Sequence, residues 1–86
     1  MCNGKEFLSY LEKHINNIPD EVYEEIEIME QYDAMWEKIY TWEGYDVYGS
    51  SIKQPAVIGI PGFILLNQKE VRLSTIEESE LLLSKL

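Results

Sequence analysis

Cys2 stands where a thiol could do chemistry. It lies immediately before Asn3, a residue type that caps helices, so its sulfur would face the N-terminus of a following helix. Unpaired N–H groups and the helix dipole there stabilise a thiolate and lower its pKa, and Lys5, one turn along, would add to the effect. The plainer alternative is a frayed second residue with an ordinary thiol. A second feature is Gly59-Ile60-Pro61-Gly62, set between apolar runs. Proline inside a would-be central strand argues against regular pairing. At the first residue of a strand, with a cis Ile60–Pro61 bond, it would leave backbone groups free for a ligand. A sharp turn between strands explains the same residues equally well.

Other chemistries find little support in the spacing. Cys2 and His14 are the soft metal ligands of the chain, and no second His or Cys completes a tetrahedral zinc site. The acids between positions 20 and 46 lack the interleaved Asp/Asn-and-Gly loop of a calcium site. No phosphate-cradling glycine loop is present, and no Ser or Asp pairs with His14 at recognisable spacing. His14 therefore reads as a surface or partly buried histidine. With one cysteine in 86 residues, an internal disulfide is impossible, and a reducing, cytoplasmic setting is expected.

Charge is informative through its placement. The formal net charge is −9, from 7 basic and 16 acidic side chains. Both ends of the chain are nearly neutral. The excess lies between Asp20 and Asp46, where Lys38 is the sole basic residue. Without a basic patch to release counterions, binding to nucleic acid is not expected. Binding to an anionic membrane surface is not expected on the same ground, and the longest nearly uncharged run, Gln54 to Gln68, is too short and interrupted to span a bilayer.

The elements that would position these residues fit a single domain over residues 1–86, of 10.1 kDa. Phe7, Leu8, Leu11 and Ile15 form one stripe of an amphipathic helix from Lys5 to Asn16. Asn3 and Glu6 make a capping box, and Pro19 ends the segment. Val22, Ile26 and Met29 have helical spacing too, but the parity of Tyr23 to Ile28, with two β-branched residues two apart, predicts a short strand there. Met29, Tyr32, Met35, Trp36, Ile39 and Tyr40 repeat with a helical period, closed by Gly44, and Tyr45 to Gln54 reads as loop. Phe63 to Leu66, the Asn67-Gln68 turn and Val71 to Leu73 predict a hairpin. Ser74-Thr75-Ile76-Glu77 has capping-box spacing and opens a last helix whose Ile76, Ser79, Leu82, Leu83 and Leu86 would face inward. The expected order is α-β-α-β-β-α.

Taken together, Cys2 and the Gly-Ile-Pro stretch resemble the glutaredoxin-related branch of the thioredoxin-like proteins. Cys2-Asn3-Gly4-Lys5 is similar to the family's Cys-x-x-Cys, and Tyr10-Leu11-Glu12 falls near its helix end. Tyr23 to Ile28 resembles its second strand, and Ile58 to Leu65 resembles its cis-proline strand. The tail from Ser74 resembles its last helix. The resemblance implies an α/β, thioredoxin-like (glutaredoxin-type) sandwich. Lys5 replaces the second cysteine, so the implied activity is monothiol thiol–disulfide exchange with glutathione or a protein disulfide. Cys2 would be the nucleophile, Lys5 would support its thiolate, and Ile60 and Pro61 would bind the glutathione peptide. The family's first strand has no counterpart ahead of Cys2, so the implied sheet is incomplete, with open edges that favour self-association.

The competing expectation is a binding module without catalysis. The acids between 20 and 46 are interleaved with Tyr23, Tyr32, Trp36, Tyr40, Trp42, Tyr45 and Tyr48. An inhibitor of a basic protein would present such a surface, aromatics anchoring and acids steering. A solvated helix face and a set of core aromatics would account for the same residues.

Overall fold

Asn3 begins the first helix as its type suggests. Its backbone is extended, its side chain accepts from the Glu6 N–H at 2.9 Å, and Glu6 reaches back to the Asn3 N–H. The computed structural model describes residues 2–51 and 62–85. Within them the order is β1 (Cys2–Asn3), α1 (Gly4–His14), α2 (Asp20–Glu30), β2 (Met35–Trp42), β3 (Tyr45–Ser51), β4 (Ile64–Leu66), β5 (Val71–Leu73) and α3 (Ile76–Ser84). The fold is mixed α/β. Among the described residues, five strands form one antiparallel sheet in the order β1-β2-β3-β4-β5, with β1 and β5 outermost.

The observed order, β-α-α-β-β-β-β-α, departs from the expected α-β-α-β-β-α in its first half. Tyr23 to Ile28 is not a strand but the middle of α2. Val22, Ile26 and Met29 all bury, and that stripe outweighs the β-branched parity, because Ile28 stays half exposed. Pro19 precedes the helix, where a missing N–H costs nothing, and Asp20 and Glu21 in the first turn complement the dipole. The predicted helix from Met29 to Tyr40 is instead the end of α2, a turn at Tyr32-Asp33, and β2.

The helical period there has a specific origin. A β-bulge shifts the register between Lys38 and Tyr40, so the inward parity of β2 changes partway along it. Trp36 packs on one face of the sheet, and Ile39, Tyr40 and Trp42 pack toward the other. A strand that changes its buried face imitates a period between three and four. Gly44, expected to end a helix, turns a hairpin: Glu43 has φ 52° and Gly44 φ 82°, so both central residues are left-handed, as a two-residue turn between twisted strands requires. Tyr45 to Ser51, read as loop, is β3.

The sheet lies between two helical layers. Phe7, Leu11 and Ile15 of α1 and Val22, Ile26 and Met29 of α2 pack with Trp36, Ile64, Leu66 and Val71 on one face. Val47, Phe63, Leu65 and Leu82 form a smaller cluster on the other face, under α3. Every residue of β4 is buried because the strand has a helix layer on each side. The β4–β5 hairpin forms as expected, its turn fixed by Asn67 Oδ1 accepting from the Lys69 and Glu70 N–H groups at 2.8 Å. The last helix begins one residue later than its sequence suggests: Thr75 is the cap and Glu78 its partner. That shift turns Ile76 outward at 74% exposure and leaves Leu83 exposed, while Ser79 and Leu82 bury. Leu86 lies outside the described residues.

Candidate functional site

Cys2 does precede α1 directly, but its surroundings favour the thiol over the thiolate. Its Sγ donates toward the Trp36 carbonyl at 3.8 Å, across the β1–β2 pairing of Cys2 with Trp36. Burial pushes the Cys2 thiol above its ordinary value; the N-terminal ammonium opposes the shift and Glu6 adds to it. Asn3 takes the Glu6 N–H that an anion would otherwise use. Lys5 sits exposed in the first turn of α1. Ile60 and Pro61 lie outside the described residues.

His14 also keeps to the surface. Its Nδ1 is 2.9 Å from the Tyr10 carbonyl, one turn earlier in α1, and its ring lies tilted against Tyr10 with centroids 4.3 Å apart. An open hollow of about 730 Å³ lies beside it, bordered by Asp46, Asn67 and Lys69. No group of three His, Cys, Asp or Glu side chains gathers as for a metal among the described residues. No described helix is long and apolar enough to cross a membrane.

The acidic segment is divided by the fold. Asp20, Glu21, Glu24, Glu25, Glu27 and Glu30 belong to α2, while Glu37, Glu43 and Asp46 lie on the β2–β3 hairpin. Asp46 is neutralised by Lys38 at 3.2 Å. The other ion pair among the described residues, Arg72–Glu78, is on the α3 side. The α2 carboxylates therefore have no ionic partner among the described residues, and the last turn of α2 carries no basic residue to offset the negative end of its dipole. Glu25 differs from its neighbours. It is half-buried and receives the Gly62 N–H; burial raises its pKa while that hydrogen bond lowers it, with burial the larger effect.

Most of the segment's aromatics are core rather than surface. Trp36 stacks on Phe7 with centroids 5.1 Å apart, and Tyr48 lies 4.9 Å from the same ring. Tyr40, Trp42 and Tyr45 pack against the cluster under α3, and the Tyr40 hydroxyl donates to the Leu82 carbonyl at 2.6 Å. Tyr23, half-buried, and Tyr32, at 38% exposure, remain outside.

Tyr23 borders a feature that neither spacing nor composition announced. A groove of about 430 Å³ runs between the first turns of α1 and the C-terminal half of α2. Leu8, Ile26 and Gly4 form its apolar floor, and Glu27, Glu30 and Lys5 are its charged members. The Glu30 carboxylate lies so close to Gly4 that a Cβ there would collide with Oε2. That oxygen is buried and has no hydrogen-bond partner among the described residues. The sequence signal is indirect: Tyr23, Glu27 and Glu30 fall at i, i+4 and i+7, on one stripe of α2.

No protein-family model, no curated protein and no solved structure matches this chain.

Proposed function

We propose that the chain is a non-catalytic binding module that presents the carboxylates of α2 to a basic protein. The observation that carries this reading is the uncompensated charge of that helix. Six acids lie on eleven residues, none has an ionic partner among the described residues, and the net charge of −9 reinforces their field. Like charges along a solvated helix destabilise it slightly, so α2 keeps them at a cost that a cationic partner would remove. Long-range attraction of this kind raises association rates and weakens with salt.

Titrating the full chain with an arginine-rich peptide at low and at physiological salt tests the reading. Affinity should fall steeply as salt rises. Replacing the exposed Glu21 and Glu24 together, E21K/E24K, should weaken binding by about tenfold through lost steering and attraction. An affinity indifferent to both salt and these substitutions would overturn the proposal.

A second reading is monothiol thiol–disulfide exchange at Cys2 within a thioredoxin-like, glutaredoxin-type domain, with glutathione as co-thiol. It is supported by the place of Cys2, one residue before the cap of α1. It requires attack by a thiolate that burial makes scarce at neutral pH. Incubation with oxidised glutathione, followed by mass measurement, decides it: rapid formation of the mixed disulfide at neutral pH would favour exchange, and a slow reaction would remove it.

A further inference from the structure

We infer that the groove between α1 and α2 is a socket for an arginine side chain of the basic partner. The inference rests on the binding-module reading and names the point at which recognition, rather than steering, occurs. Three properties of the groove converge on arginine. Leu8, Ile26 and the bare backbone of Gly4 offer an apolar floor for its methylene stem. Tyr23 borders the groove with an aromatic ring, on which a planar guanidinium stacks. Glu27 and Glu30 supply carboxylates for its N–H fork.

Electrostatics adds a fourth reason. The groove opens at the C-terminal end of α2, where the helix dipole is negative and the helix's own last turn carries no basic side chain. The buried Glu30 Oε2 lies against the first turn of α1, whose positive end makes its burial tolerable but gives it no hydrogen bond. With Oε2 held against Gly4, the other oxygen of the Glu30 carboxylate is the one left to receive a guanidinium N–H. Two features oppose a cation here: the positive end of α1, and Lys5, which lines the same groove but is exposed and can swing away. The volume, about 430 Å³, holds one such side chain with a short stretch of its backbone.

Gly4 has a role in this arrangement. Only a residue without Cβ lets the Glu30 carboxylate sit where it does. Because the obstructed atom is the end of a flexible side chain, Gly4→Ala should displace Glu30 while leaving the helix intact, with alanine favoured over glycine in a helix.

The test titrates the full chain with the same arginine-rich peptide while following the Leu8 and Ile26 methyl resonances. Those methyls should shift on binding. Gly4→Ala and Glu30→Gln should each weaken binding by about tenfold, as expected for a lost charge-assisted hydrogen bond. Lys5→Gln should tighten it. Salt-sensitive binding that E21K/E24K weakens but Gly4→Ala and Glu30→Gln leave unchanged would overturn the socket and spare the binding-module reading. No binding by the native chain would overturn both. Should either inner substitution prevent folding, the exposed positions carry the test: Glu27→Gln must weaken and Lys5→Gln must strengthen binding, and no change in either overturns the socket.

Discussion

The two helical layers flanking the sheet are held by different means. On one side, α1 and α2 bury a continuous apolar cluster from Phe7 to Val71, and the outer carboxylates of α2 are left without partners among the described residues. On the other, the buried cluster among the described residues is Val47, Phe63, Leu65 and Leu82, and α3 is also tied down by polar links. Arg72 grips Glu78 through two N–H donors at 2.6 and 2.8 Å and lies 4.9 Å above the Tyr45 ring. Ser74 Oγ accepts from the Phe63 N–H at 3.0 Å and is hydrogen-bonded to Ser79 Oγ at 2.7 Å. Where apolar burial suffices, surface charge is free for other work. Under α3, charge is consumed in holding the helix.

The largest effect that could break this contrast is truncation of its two anchors. Phe7→Ala should cost about 3–5 kcal/mol and leave little of a small domain's stability, whereas Leu82→Ala should cost about 2–3 kcal/mol. Denaturant unfolding measures both, and an equal or larger cost at Leu82 would reverse the ranking of the layers.

Next in size is the Arg72–Glu78 clamp. Hydrogen bonds from Arg72 hold the Glu78 carboxyl at about 2, below its ordinary 4.5. A depressed acid contributes stability that is present above 4.5 and is lost as pH falls toward 2. Since the pair is partly exposed, Glu78→Gln should cost about 1 kcal/mol at neutral pH, shrinking to nothing at the acid end. Glu25 should behave oppositely. Its pKa is raised, so its penalty is fully present at neutral pH and fades as pH falls through its folded value toward 4.5. Glu25→Gln should therefore stabilise the chain at neutral pH and lose that advantage in acid. Thermal unfolding across the acid range separates the two, and parallel pH profiles would remove the distinction.

A smaller effect concerns Cys2. Its alkylation by iodoacetamide should accelerate only above the pH range of an ordinary thiol, because burial disfavours the thiolate. A rate already maximal at neutral pH would restore Cys2 as the leading site. The smallest effect is expected at Ile76, which is exposed on α3. Ile76→Ser should change stability by about 0.5 kcal/mol or less, and a larger loss would mean that the α3 layer depends on apolar contacts after all.

Several of these features were legible in the residues. The stripe of Phe7, Leu11 and Ile15 and the Asn3–Glu6 box are local, each set by neighbours within one or two turns. The Asn67 turn and the flanking apolar strands made β4–β5 equally plain. The candidate site was legible only as charge. Whether the aromatics serve a partner or the core was open in the sequence; Trp36, Tyr40, Trp42 and Tyr48 are consumed by the core, and no local pattern distinguishes the two uses.

By itself, then, the sequence determined the helices with clean stripes and caps, the last hairpin, and an acidic field concentrated on one segment. These follow from interactions between residues close along the chain. Tertiary structure decided the rest. It made a strand of Met35 to Trp42, because pairing with both β1 and β3 outweighs a helical period created by the bulge at Lys38–Tyr40. It decided which charges are neutralised, by bringing Lys38 to Asp46 and Arg72 to Glu78. And it built the groove, by setting the start of α1 against the end of α2, so that Gly4 and Glu30 meet although much of two helices separates them in sequence.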